Sequence, residues 1–364
     1  MDIARANEDL QQKIEEAYDA CKKKKPQAMD SSSIPKVKKG APIEKIKNLK
    51  LPAPDPKSIK INGIKWGTGS NKHKIAFARQ DHLLGVVDTQ KNIGIACSKA
   101  NWTQCIAMHP TKDIVLSGGM DNATTMWSIE GGKLKEKKKI IEHDGYIASL
   151  CFTHNGDKYL SAGGDADSRH FDIEKATSIT RFCGHEKDAQ SLCFSASDTG
   201  HKLFATCSSD KTVRLWDVGS GKQTHKLTST SELNACAMFP MERSLVAAGG
   251  VQDKTFLWDI RAMKLVSTYA RNNMTTASLA FSSSGRHLYV GHDDGAIIQW
   301  DIWGSGENKE YANKIVAHTK MEGNSNNPDP SKSRVQNLTV GEDGLLASCG
   351  FDGNVTLWGP AKAQ

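Results

Sequence analysis

Short apolar runs with strand periodicity end repeatedly on a bulky residue followed by aspartate: Val87-Asp88, Phe171-Asp172, Trp216-Asp217, Trp258-Asp259 and Trp300-Asp301. Trp127-Ser128 and Trp358-Gly359 are degenerate members, so five and two make seven. Successive bulky positions stand about 40 to 45 residues apart, the length of one four-stranded propeller blade, and only the last interval is longer, by an insertion. Six residues before the bulky position lies an aspartate, at Asp81, Asp121, Asp165, Asp210, Asp294 and Asp352; in the fifth repeat Asp253 comes one residue late. An Asp at that spacing suits the tight turn between the second and third strands of a blade, where its side chain accepts from backbone N–H groups. His143, His185 and His318, each ahead of such an aspartate, are placed to donate to it and tie one turn of the blade to the next. These Asp and His residues recur blade after blade, whereas an active site is used once, so they read as structure rather than as acid–base catalysts. The pattern predicts an all-β, seven-bladed propeller over 43–364.

A ring of blades has to close, and the segment before the first blade is the candidate outer strand of the last one. Ile43 to Leu51 fits, with Ile43, Ile46 (after a one-residue slip), Leu49 and Leu51 alternating. The Pro-, Ser- and Lys-rich stretch after Lys25 reads as a linker over 25–42. Ahead of it, 1–24 is predicted as an α-helix: Ile3, Leu10, Ile14, Ala17 and Cys21 follow the spacing of a coiled-coil seam, with Asn7 in the same register. A seam of about three heptads is too short to hold as an isolated helix in water, so this reading requires a second helix to cover it. Asn7 then fits a device that fixes register and partner number.

Composition narrows the class. With 38% hydrophobic residues among 364 the chain can bury a large core, yet no apolar run approaches the roughly 20 residues of a membrane span. Met1 to Arg5 shows neither a secretory core nor a myristoylation glycine, and Ala361 to Gln364 holds no prenylation cysteine. The expectation is a cytoplasmic protein whose membrane attachment is borrowed from a partner. Nine cysteines without a C-x-x-C pair predict neither a disulfide framework nor a metal site. The net charge of +7 gathers partly in Lys22–Lys25, Pro35–Gly40 and Lys133–Lys139; with no aromatics interleaved, these runs do not predict nucleic-acid binding, and an anionic membrane surface suits them equally. Gly219-Ser220-Gly221-Lys222 is like the end of a phosphate-binding loop but has Trp216 in place of the earlier glycine and Gln223 where Ser or Thr is needed. No nucleophile elbow, metalloprotease helix or paired-carboxylate motif is present, so no catalysis and no cofactor is predicted.

The order of helix, linker and seven WD blades resembles the β subunit of heterotrimeric G proteins, a WD-repeat family, over nearly the whole chain. Particular segments carry the likeness: WGT at Trp66–Thr68, Asn101-Trp102, GGMDN at Gly118–Asn122, HDGY at His143–Tyr146, GHEKD at Gly184–Asp188 and FSSSGRHLYVGHDD at Phe281–Asp294. In the helix, Ile14, Ala17 and Cys21 sit as in that family's coil with the γ subunit. The resemblance implies an obligate dimer with a small helical γ subunit, whose prenyl group anchors the pair at the inner face of the plasma membrane. It further implies a narrow propeller face that binds the GDP-bound α subunit, releases it after nucleotide exchange and then engages effectors in transmembrane-receptor signalling.

Position by position, the resemblance places Lys60, Asn101, Trp102, Met120, Asn122, Tyr146, Asp188 and Asn234 on that face. Trp102 and Tyr146 would be its aromatic anchors, and Lys60, Asp188 and Asn234 would fix orientation. Gln104 and Gln190 stand where the family has methionine, Ser209 replaces a cysteine, Glu232 an aspartate, Phe351 a tryptophan and Asn62 an aromatic residue, so the face is expected to be more polar. Leu83 and Gly85 replace the Lys and Ile of a side contact with the α subunit, and Val251 or Gln252 stands where an acidic contact is expected. The insertion at Lys320–Ser333 enters the last blade near the same face and is expected to tune which α subunit or effector is admitted. Two other classes remain. A stand-alone WD-repeat scaffold for kinase or ribosome-associated complexes usually begins directly with its first blade, so the seam from Ile3 to Cys21 argues against it. A propeller enzyme needs a convergent polar cluster in its channel, and the sequence offers none.

Overall fold

Within each four described strands the second and third are largely buried, the first mixes buried with half-buried positions and the outermost is largely exposed. Thr212–Asp217 (TVRLWD) is buried along nearly its whole length, while the neighbouring outer strand Lys222–Thr228 (KQTHKLT) is almost wholly exposed. A strand covered on both faces is apolar throughout, and a charged outermost strand blunts an open sheet edge. The computed structural model describes residues 43–51, 59–194, 203–241, 244–252, 254–271, 273–303, 311–318 and 333–360. The expected coiled-coil helix and linker, Asp253 and nearly all of the 320–333 insertion lie outside these. Among the described residues the regular structure is all β-strand apart from one 3-10 turn at Gly69–Asn71.

The strands form five four-stranded sheets and one eight-stranded sheet. The eight-stranded sheet consists of two antiparallel runs, 61–99 and 103–141, joined by a single parallel pairing of Cys97 with Lys133. The last sheet takes its outer strand from the beginning of the described chain: Ile43–Asn48 pairs antiparallel with Val355–Pro360, and the register slips between Lys45 and Lys47. Ile43 and Leu49 are buried, but the slip turns Ile46 outward, 51% exposed, against the expected alternation. The first strands of the sheets adjoin one another in chain order, from Ile61–Trp66 through Thr103–Met108, Ile147–Phe152, Ala189–Phe194, Leu233–Met238 and Thr276–Phe281 to Val335–Val340, which adjoins Ile61–Trp66 again.

The apolar core lies between successive sheets. Leu160, Ala162 and Phe182 of one meet Leu192, Phe204 and Trp216 of the next. Ile64, Phe77 and Val87 pack on Ala347, Val355 and Leu357, which joins the early and late parts of the described chain.

Hydrogen bonds tie the turns to this core. Asp210 accepts from the Thr212 N–H at 2.9 Å, the Thr212 hydroxyl at 2.6 Å and the Glu186 N–H at 3.1 Å, and His185 Nδ1 lies 2.8 Å away. His185 Nε2 is 2.7 Å from Thr206 Oγ1, which accepts from Trp216 Nε1 at 2.8 Å. One proton direction satisfies the whole chain: indole to hydroxyl, hydroxyl to Nε2, Nδ1–H to carboxylate. Burial pushes the Asp210 carboxyl up, but the bonds from Thr212 and His185 outweigh it and bring it down to about 2. His318, Asp352, Ser348 and Trp358 repeat the arrangement. His143 reaches Asp165 at 2.8 Å and Ser161 at 2.6 Å, but Phe171 has no N–H to complete it. Asp81 and Asp294 are held by Arg79 and Arg271, and Asp121 by Lys139 and Asn101. The Gly219–Lys222 segment is the turn after the Trp216 strand: Ser220 N–H donates to Asp217 at 2.6 Å and Gly221 has φ +70.

His170 is a local conflict in this packing. It precedes Phe171 as Leu215 precedes Trp216, and it lies between Leu160 and Thr180 in the ladder. It is buried, and neither ring nitrogen meets a hydrogen-bond partner. Burial, then the charge of Lys158, lowers its pKa to about 4. The unfolded chain takes up this proton near 6.5 and the folded chain near 4, so stability falls as pH drops through that window. His170→Leu is therefore expected to raise stability in urea unfolding by about 2 to 3 kcal/mol more at pH 4.5 than at pH 7.5. Equal effects at both pH values would contradict a neutral buried imidazole.

Candidate functional site

In a four-stranded meander the approach to the first strand and the turn between the second and third strands lie at the same end. Lys60, Asn101, Trp102, Tyr146, Asp188 and Glu232 all sit on approaches, and Met120, Asn122, Ser209 and Phe351 on second-to-third turns. Topology thus brings them to one edge. Gln104, Gln190 and Asn234 reach the same edge by a different device.

At the second residue of each first strand the register against the second strand shifts, for instance between Thr103 and Cys105, Ala189 and Ser191, and Leu233 and Ala235. The same shift occurs at Ile61/Gly63, Ile147/Ser149, Thr276/Ser278 and Val335/Asn337. A bulge leaves one residue out of the ladder and re-aims its side chain. The residues so released are Asn62, Gln104, Ala148, Gln190, Asn234, Ala277 and Gln336, and all line one cavity of about 1250 Å³ running along the first strands. Lys60, Trp102, Met120 and Phe351 line it as well.

The carboxamides bind sheets to one another. Asn62 Nδ2 donates to the Thr103 carbonyl at 2.9 Å and Asn234 Nδ2 to the Thr276 carbonyl at 3.4 Å. Gln190 Nε2 donates to the Tyr146 hydroxyl and to Ser209 Oγ, each at 3.2 Å, and Tyr146 in turn donates to Asp188 at 2.8 Å. Burial, then the Asp188 bond, raises the Tyr146 pKa to about 12. Gln104 Nε2 lies 3.0 Å from the Met120 sulfur, and the Met120 N–H donates to the Trp102 carbonyl at 3.0 Å. Asn101 Nδ2 donates to Asp121 at 3.0 Å, and Asn122 adopts left-handed backbone, φ +57, with its amide 3.5 Å from the Asp144 carbonyl.

Three apolar side chains stand out of this polar rim: Trp102 is 61%, Met120 47% and Val251, on the turn after Leu245–Gly250, 41% exposed. Lys60 Nζ lies 4.1 Å from the centre of the Phe351 ring, with the Arg334 guanidinium 5.9 Å away on the same ring. Glu232 pairs with Lys187 at 3.1 Å. Ala148, Ala277, Gln336 and Arg334 were not anticipated. A faint signal existed for the first: 148 is five residues after His143, as 190 is five after His185. Among the described residues no group of three or more His, Cys, Asp or Glu is arranged to hold a metal ion. The edge offers carboxamides, three exposed apolar side chains and scattered charge, which suits protein recognition.

Known proteins agree with this architecture. The family described as "WD domain, G-beta repeat" matches residues 176–217 and 264–301. The chain carries WD repeats. It is similar to a guanine nucleotide-binding protein subunit beta of Solanum tuberosum, 27% identical over 82% of this chain and 80% of that protein. The subunit beta of Saccharomyces cerevisiae is 24% identical over 99% of this WD-repeat chain and 93% of its own length. The beta-5b subunit of Danio rerio is 29% identical over 64% of this chain and 60% of that protein.

The Tyr146–Asp188–Gln190 cluster makes a direct test of the edge. Tyr146→Phe removes the donor to a carboxylate and is expected to cost about 1 to 2 kcal/mol in denaturant unfolding, with circular dichroism of the sheets unchanged. A variant as stable as the parent would show that this network does not order the rim.

Proposed function

We propose that this chain is the β subunit of a heterotrimeric G protein: a seven-bladed propeller with an N-terminal coil, bound as an obligate dimer to a γ subunit and binding the GDP-bound α subunit through the Trp102 edge. The relatives' names support the family, and the closed order of first strands, with each sheet of four or two-times-four strands, supports the seven-blade reading. The observation that carries the partner-binding role is the exposed pair Trp102 and Met120, joined through the Trp102 carbonyl and set in a rim of ordered carboxamides. A large aromatic exposed in such a rim is what a desolvated centre of a protein interface requires. The chain works in this reading by switching partners and not by catalysis; effectors use the face after the α subunit leaves it. It acts in the cytoplasm at the inner face of the plasma membrane, held there by the lipid of the γ subunit.

Pull-down with a GDP-loaded against a GTP-analogue-loaded α subunit tests the edge. GDP-selective capture is expected, weakened by about 2 kcal/mol, or roughly thirtyfold, in Trp102→Ala. Capture indifferent to nucleotide, or to the substitution, would remove this face from the interface. Co-expression tests the coil: the chain is expected to be poorly soluble alone and to recover with a small helical γ subunit, whereas a stand-alone scaffold would need no such partner.

A further inference from the structure

The anchor at position 102 is exposed, yet its indole is oriented. Trp102 Nε1 donates to His82 Nε2 at 2.9 Å, and the two ring centres lie 6.0 Å apart. The His82 carbonyl also accepts from the Ala100 N–H at 2.7 Å, two residues before the anchor, while the Trp102 carbonyl accepts from Met120 N–H at 3.0 Å. His82 therefore grips the 100–102 segment through both backbone and side chain.

This grip is held against the backbone's preference. His82 has φ +68, in the left-handed region where a residue with a Cβ is disfavoured and glycine is at ease. The residue after the turn aspartate is left-handed in other repeats too, at Asn122, Ala166 and Lys211, so the turn sets this φ, and half-buried His82 is distinguished by what its ring touches. The geometry points to His82 as the positioning residue of the binding face: its unprotonated Nε2 fixes the rotamer of Trp102 and consumes the indole's single hydrogen, so a partner meets only apolar ring surface. This inference deepens the proposed function and rests on it for the identity of the partner, but the His82–Trp102 arrangement stands independently.

The charged groups on the segments around His82 are already engaged or lie at a strand end. Arg79 pairs with Asp81 at 2.7 Å on the same turn; Asp121, bonded to Asn101, pairs with Lys139 at 2.9 Å; and Lys99 ends the strand opposite Leu83.

The test uses the full chain labelled with ¹⁵N at tryptophan, with Trp102→Phe assigning the indole resonance. In the parent protein the Trp102 Nε1–H resonance is expected at the position of an indole hydrogen-bonded to imidazole. In His82→Gly it should move to that of an indole bonded only to water. His82→Gln, which restores an acceptor, should return the resonance toward the parent's. His82→Gly relieves the left-handed strain, so its thermal stability should equal or exceed the parent's, the opposite of what a merely structural role predicts. Binding of GDP-loaded α subunit should fall about fivefold in His82→Gly and recover in His82→Gln. An indole resonance unchanged in His82→Gly overturns the inference, as does α-subunit binding that is the same in His82→Gly and the parent. If the resonance behaves as expected and no α subunit binds even the parent chain, the positioning role stands and the reading as a G-protein β subunit fails.

Discussion

Burial on both faces of every sheet is the constraint from which the architecture follows. A sheet whose inner three strands are apolar on both sides cannot cover itself; it needs a neighbour on each side, and a row of such sheets would leave its two end faces in water. At roughly 25 cal/mol per Å² of apolar surface, an open end is a large deficit for a protein of ordinary stability. The packing of Ile64, Phe77 and Val87 on Ala347, Val355 and Leu357 removes both ends at once, and Ile43–Asn48 supplies the last sheet with its outer strand. Closure of this kind tolerates local loss. Phe171 interrupts one indole–hydroxyl–imidazole–carboxylate chain and in two other repeats an arginine holds the turn aspartate, but the faces between sheets stay covered.

The same closure makes the candidate site. The described first strands line one cavity, and a bulge near the start of each increases twist while releasing one side chain from the ladder. The position of the rim residues is thus dictated by backbone geometry, whereas their identity is open. Alanine occupies two of these positions, carboxamides the rest, and the carboxamides that bond across to neighbouring sheets are ordered before any partner arrives. Preorganised groups lose less entropy on binding, so a rim of this kind favours a rigid, repeated contact surface over an adaptable one.

The repeat period and the turn aspartates were legible in the chain because both are local: a bulky residue, an aspartate six positions before it, a histidine upstream. Most rim residues were legible only through resemblance, since an approach loop and a second-to-third turn become neighbours through topology, which no local pattern reports. The bulge was harder still. A one-residue register shift leaves no trace in composition, and Ala148, Ala277 and Gln336 carry no chemistry that would draw notice. Ile46 was misjudged for the same reason: alternation was read across a slip that turns its side chain outward. His82 escaped because a histidine in a turn looks ordinary until its φ and its contact with Trp102 are known together.

The polar substitutions along the rim change how such a face discriminates. Gln104 lies against Met120 and Gln190 against Tyr146 and Ser209, so the places where the resemblance calls for methionine are filled by groups whose hydrogens are directed at their own neighbours. A partner that presents apolar surface to those places would strip water from amides without giving hydrogen bonds in return, at a cost of about 1 to 3 kcal/mol for each group left unmatched. Apolar contact is then concentrated on the indole of Trp102 with the Met120 side chain beside it, the most exposed apolar surface of the edge. A face built in this way selects by exclusion: a partner must place its own apolar residue over Trp102 and keep polar groups over the carboxamides, or lose affinity at both.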